Sequence, residues 1–417
     1  MKKFSLLSIF LTAGLVMSAQ TALVEEVKHM LGQSKPDYAA ALKKIQPALS
    51  DPSTMNTVAP WYYAGKAAFG VYDTNYLLQQ LGNELTKEQK EAAGNAMLQG
   101  YNDFFVAIPL DVEVDKKTGQ PKLDKDGKAK PGKFVKEMQK TLKDNYQHLL
   151  QAGIMFYDAQ NYKGAYDVWE IYVNLPSNPI LGSEKPTADA DTLVGQIMYY
   201  QLLAALIDNQ NEKALSKVAQ IEKTGYQNID VYVYGLQAAS HLNNTAEVAR
   251  IAKKGYELYG TQNIDFIGQL INECLDSNDY AGAQKLLNEA VAATPSDNSE
   301  TKSRLINILG IVFERQDKFD QALEQYNKGI QADPNVAKNY YDAARIYYNT
   351  AVKQDEESAD EYNVSPEVKE KLLKAADLFE KAYGLDEDNM TDVPNIMYNL
   401  YYRLGDEAKQ NYWKNLR

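Results

Sequence analysis

The 417-residue chain holds a single cysteine and three histidines. One cysteine excludes an internal disulfide and a thiolate zinc cage. His29, His148 and His241 stand far apart, so no pair has the one-turn spacing of a zinc-binding helix. Basic charge is also short: 44 Lys and Arg against 56 Asp and Glu leave a formal charge of −12. A general nucleic-acid binder needs a basic face to displace counterions from phosphates, so that class is disfavoured. No Gly-x-Ser-x-Gly elbow, no Gly-x-Gly-x-x-Gly turn and no phosphate-cradling loop ending in Lys-Ser or Lys-Thr occurs. The acids are numerous enough for a carboxylate pair of the kind helical glycosidases use, yet no spacing singles one out. The reading is therefore of a non-enzyme with no catalytic residue, no metal site and no cofactor.

Long apolar runs are confined to the N-terminus. Lys2 and Lys3 precede a mostly apolar stretch from Phe4 to Met17, followed by the small residues Ser18 and Ala19. This is the layout of a secretory signal peptide, and the stretch falls short of the roughly 20 apolar residues that span a bilayer. Cys274 is far downstream, so no lipid anchor is expected at the cleavage site. Residues 1–19 are read as a signal peptide. Residues 20–417 are read as a protein that is exported to the periplasm or secreted, and that does not span the membrane. Its composition is globular, with 45% apolar and 24% charged residues, and it is unusually rich in tyrosine, with 30.

What fills the rest is a repeat. In Ser303–Val336, Ile306, Leu309 and Phe313 recur on one face of a helix. A polar break at Gln316–Lys318 follows. Phe319, Ala322, Leu323, Tyr326 and Ile330 then mark a second amphipathic helix, which Asp333-Pro334 closes. Gly310 and Ala322 mark places where helices must approach closely, and the large Phe319 and Tyr326 are expected to fill the space beside them. One such pair cannot bury both apolar faces, so neighbours must stack. The same frame fits Ile264–Asp297, with Cys274 at a packing position, and the helix opening at Ala337. It also fits Leu149–Phe156 with Tyr162–Trp169, the helix 37–48, and Trp61–Ala68. Between Thr192 and Gly260 helices continue but no single register emerges.

This unit resembles the tetratricopeptide repeat (TPR), which has the same length and places small residues at repeat positions 8, 20 and 27 and Pro at 32. Gly310, Ala322, Gly329 and Pro334 stand at those positions; Ile306 stands where the family has Trp. The expected fold is all-α: an α-solenoid of about six to eight TPR-like helix pairs over residues 20–417, each leaning on its neighbours. The resemblance further implies a right-handed superhelix whose first helices line a concave face.

Two segments interrupt the pattern. Residues 109–133 alternate Val112 and Val114 with acids and carry Thr118-Gly119 and Asp126-Gly127 turn signals, which predict a small β-hairpin or ordered loop. From Leu110 to Lys136 eight Lys face five acids. A solvated loop is the simpler reading; docking of an acidic partner is the sharper one. Asp124-Lys125-Asp126-Gly127 has too few oxygen ligands for a calcium loop. Residues 354–370 are acidic and read as an exposed inter-helix loop, with Ser365-Pro366-Glu367 starting the next helix.

In the family, ligands lie on first-helix positions 2, 5, 9 and 12. Carried over, these give a candidate binding face of Tyr62, Lys66, Tyr157, Asn272, Asn307, Lys338, Tyr341, Arg345 and Tyr348, with Phe69, Ile154, Arg304 and Glu314 at equivalent places. The carboxylate-gripping subtype is not reproduced, because Asn307 is followed by Ile311 and Lys338 by Asp342. The expected function is a non-catalytic exported scaffold binding a protein or peptide on its concave face. The alternative is a glycan-binding envelope protein using Tyr and Trp platforms.

Overall fold

The computed structural model describes residues 20–356 and 364–417. The stretch read as a signal peptide and residues 357–363 of the acidic segment lie outside it. Among the described residues the chain is all-α, with paired helices and no β-strand longer than isolated bridges. It divides into two compact units, at Leu242.

The first unit contains α1 (residues 20–31), α2 (Tyr38–Ser50), α3 (Val58–Gln80), α4 (Lys87–Leu110), α5 (Val135–Asp144), α6 (His148–Asp158), α7 (Tyr162–Asn174), α8 (Asp191–Ile207), α9 (Asn211–Ile221) and α10 (Ile229–His241). Val24, Val27, Ala41, Ile45, Ala48, Ala64 and Ala67 bury the faces of α1, α2 and α3 against one another. Where α3 meets α4, Phe69 lies 5.6 Å from Tyr101 and 5.4 Å from Phe104 between ring centroids. A Cβ on Gly65 would run into Phe104, and one on Gly153 into the Trp169 indole that packs α7 on α6. These are the small-against-large pairs the repeat demands.

The second unit contains α11 (Thr245–Tyr259), α12 (Ile264–Asp276), α13 (Tyr280–Ala293), α14 (Ser299–Glu314), α15 (Phe319–Ala332), α16 (Ala337–Glu356), α17 (Pro366–Leu385), α18 (Val393–Leu404) and α19 (Glu407–Lys414). Gly310 of α14 accommodates Tyr326 of α15, and the fully buried Ala322 lies beside it. Phe319 departs from expectation. It is 43% exposed, because it occupies the first turn of α15, outside the crossing. Cys274 is half-buried against the Ile267–Leu287 cluster, and burial pushes its thiol pKa up. The acidic segment is shorter than expected: residues 354–356 continue α16, and α17 begins at Pro366 with Ser365 accepting the Val368 N–H.

The turn between the two helices of a pair explains both regularity and the missing register. Gln160, Asn209, Asn243, Asn278 and Asp317 all have φ between 52° and 63°, the left-handed region that the short Asn and Asp side chains tolerate best. Where α6 ends, the Asn161 N–H closes back on the Phe156 carbonyl at 2.8 Å; Gln210 does so to Ala205 at 2.7 Å, Asp279 to Cys274 at 2.7 Å and Lys318 to Phe313 at 3.0 Å. The next residue often caps the second helix: Asn161, Asn244 and Asp279 accept amides from Gly164, Glu247 and Gly282. Asn209 thus sets the register of α8 and α9, where apolar spacing alone was silent.

The insertion between α4 and α5 is an ordered loop of three bridges, Val112 with Pro131, Val114 with Pro121 and Leu123 with Ala129. Asp124 Oδ1 accepts the amides of Asp126 and Lys128, so this carboxylate shapes a turn.

Candidate binding cleft

In the second unit the first helices α12, α14 and α16 line a cleft of about 1030 Å³, closed at its rim by the segments following α15 and α17. Asn272, Asn307 and Lys338 come together here, as does Arg304. They stand on successive first helices because the repeat returns the same helical face every period. Gly268 adds room: nothing lies within 4 Å of where its Cβ would be.

Hydrogen bonds already occupy some of these groups. Asn307 is buried, and its Nδ2 donates to Asp342 Oδ2 at 2.9 Å. Lys338 Nζ donates to Asp342 Oδ1 at 2.5 Å, and Arg304 pairs with Glu300 at 2.8 Å. The cleft's bases are thus both engaged, while Asp265, Asp333 and Asp386 also face it. The Asn335 amide and Ser299 hydroxyl hold the Asp333 carboxyl below its ordinary range. Asn272 and Asn335 are exposed, and their amides both donate and accept. The lining is therefore acidic and amide-rich, without an aromatic ring.

Below it runs a polar ladder that sequence reasoning missed. Ser303 Oγ donates to the Gly329 carbonyl at 2.8 Å and accepts from Asn339 Nδ2 at 2.8 Å. Arg345 grips both Glu314 oxygens, at 2.8 and 3.0 Å, and also reaches Asp342 at 3.4 Å. Tyr326 donates to the same Glu314 at 2.9 Å; burial, with the charges of Asp342 and Glu314, pushes its hydroxyl pKa well up. Ser303, Asn307, Asn339 and Asp342 lie off the apolar frame of α14 and α16, so the repeat period carried no signal that they pair in the interior.

The remaining candidates have other roles. Arg345 is a half-buried member of that ladder. Tyr341 donates to Asp392 and meets Phe379 edge-on, 5.5 Å between centroids; burial and that bond push its hydroxyl pKa to about 12. Tyr348 is half-buried, 6.4 Å from the same ring. Tyr62, expected on a binding face, is 4% exposed: its ring stacks on Phe134 at 4.0 Å and its hydroxyl donates to Glu137 at 2.7 Å. Its position in the first unit points into the α3–α5 contact, so this expectation is corrected. Lys66 is exposed and pairs with Glu137 at 2.9 Å; Tyr157 is half-buried between Tyr162 and Trp169. Phe69 is core, against the same expectation.

The fold is an all-α array of TPR-like helix pairs. Among solved structures, the chain is similar to the C-terminal part of a TPR repeat-containing protein from Cytophaga hutchinsonii, at 12% identity over 64% of this chain and 93% of that one, TM-score 0.41. It is similar to PilF of Pseudomonas aeruginosa, at 13% identity over 54% of this chain and 90% of that one, TM-score 0.39. It is also similar to MamA from Desulfovibrio magneticus, at 16% identity over 46% of this chain and 95% of that one, TM-score 0.33. No family model and no curated protein matches the chain. No helix among the described residues is long and apolar enough to cross a membrane.

Proposed function

We propose that this chain is a non-catalytic scaffold that holds an extended segment of a protein partner in the α12–α14–α16 cleft, and that it works after export, directed by residues 1–19. The observation that carries this reading is the cleft itself: three successive first helices present one acidic, amide-rich surface with Asn272, Asn307, Arg304 and Lys338 on it. Side-chain amides pair with peptide N–H and C=O groups alike, and the carboxylates favour a partner with Lys or Arg. Sugar recognition would use exposed ring faces, and rings are absent from this lining.

Gly268→Trp tests it, since the open space at this helical position lets an indole fill the cleft without disturbing the fold. In fluorescence polarisation against a panel of extended peptides, the native chain binds basic members, and the variant loses at least about tenfold in affinity. Equal binding by both proteins, with unchanged circular dichroism, would place recognition elsewhere.

A further inference from the structure

Between Asp111 and Phe134 the insertion does nothing for the core: no residue from 112 to 133 is buried. It is nevertheless tightly built. The Glu113 N–H donates to the Lys130 carbonyl (2.9 Å), Lys122 to Glu113 (2.8 Å) and Lys130 to Lys122 (2.8 Å), so each of three segments bonds to the other two. Asp115 Oδ1 accepts the Lys117 and Thr118 amides in one turn, and Asp124 holds the other. The base is stapled by buried Asp111, whose Oδ2 accepts the Phe134 and Val135 amides at 2.6 and 2.9 Å while its carbonyl accepts Gly132 at 2.7 Å.

On this rigid knob stand two large aliphatic side chains in solvent, Val114 at 50% and Leu123 at 60% exposed. Around them Lys116, Lys117, Lys125 and Lys128 are exposed as well. Eight Lys against five acids from Leu110 to Lys136 make this a positive island on a chain of charge −12. Three of those acids are directed inward, Asp111 to its staple and Asp115 and Asp124 to their turns, which holds the latter two carboxyls below their ordinary pKa range.

We propose that this knob docks on an anionic lipid bilayer. Lysine without arginine supplies compact point charges suited to a diffuse headgroup surface, whereas recognition of carboxylates in an acidic protein favours the bidentate arginine fork. The exposed aliphatics gain free energy by leaving water for the acyl boundary. The knob reaches the surface from outside, which agrees with the lack of a spanning helix among the described residues.

The test is flotation of the full chain with vesicles made of equal parts phosphatidylcholine and phosphatidylglycerol, against phosphatidylcholine alone. The chain floats with the first and not the second, and high salt releases it. Combining Lys116→Gln, Lys117→Gln, Lys125→Gln and Lys128→Gln on exposed positions leaves circular dichroism unchanged and weakens partition by at least about tenfold, given about fivefold per charge near the surface. Leu123→Trp gives a blue-shifted emission beyond that of the native chain only with the anionic vesicles. The proposal is overturned if the native chain stays with the non-floating fraction, if native and four-Gln proteins float equally, or if polyglutamate binds the knob while anionic vesicles do not.

Discussion

Where α7 packs on α6, Gly153 leaves room for the Trp169 indole, and the contact is close and apolar. Where α16 packs on α14, the buried Asn307 and Asp342 meet through a hydrogen bond, and Ser303 and Asn339 through another. The first kind of contact comes from subtraction: a missing Cβ admits a ring, and any added atom overpacks it. The second comes from pairing: the Asn307 and Asn339 amide nitrogens, the Ser303 hydroxyl and the Asp342 carboxylate each meet a partner in the interior. Tight apolar crossings hold a pair together. Paired polar groups fix which residue of one first helix faces which residue of the next, and so position the cleft side chains above them.

Breaking the first contact has the largest effect. Gly153→Val forces the Trp169 indole out of place and costs about 3 kcal/mol, read as a lower urea midpoint. Gly268→Val, in open space, stays within about 0.5 kcal/mol of the native chain. A midpoint for Gly153→Val equal to native would mean that the crossing is looser than described.

Breaking the second contact costs about 2–3 kcal/mol: Asp342→Ala strands the buried Asn307 amide and removes a carboxylate from Lys338 and Arg345. Joining it to Asn307→Leu recovers part of that loss, because neither partner is then left unpaired. A strictly additive double variant would contradict the pairing account.

A smaller effect sharpens the comparison from the first unit. Asp103 on α4 is buried with Oδ2 unpartnered, and burial pushes its carboxyl up to about 7. Between the unfolded value of about 3.9 and the folded one, the folded chain holds a proton that the unfolded chain has lost. This group's contribution therefore falls as pH rises through that window and stays low above it. Asp103→Asn removes that slope, so the variant gains stability relative to the native chain as pH rises from 4 to 8. Parallel native and variant profiles would contradict it.

The architecture was legible from Ile264 to Val336 because the small residues there stand at crossings and the helices keep one length. It was illegible from Thr192 to Gly260 because the signal was conformational. Asn209 and Asn243 end first helices through left-handed turns, and a helix-period search sees them only as polar gaps. The site was half legible. The period brought Asn272, Asn307, Arg304 and Lys338 together, but it could not tell a surface tyrosine from a buried one. Tyr62 lost its expected exposure because α5 follows the insertion and covers it with Phe134 and Glu137, a contact that no repeat frame encodes.

Within each unit, the described helices make their substantial contacts with others no more than three places away in chain order, apart from the short turn Pro179–Leu181, which reaches α4 and α5. Amide hydrogen exchange on Gly153→Val tests that organisation directly. Protection is expected to fall across α6, α7 and their neighbours while α12 to α17 keep native rates, as a quasi-linear array requires. An equal loss of protection from α12 to α17 would contradict it.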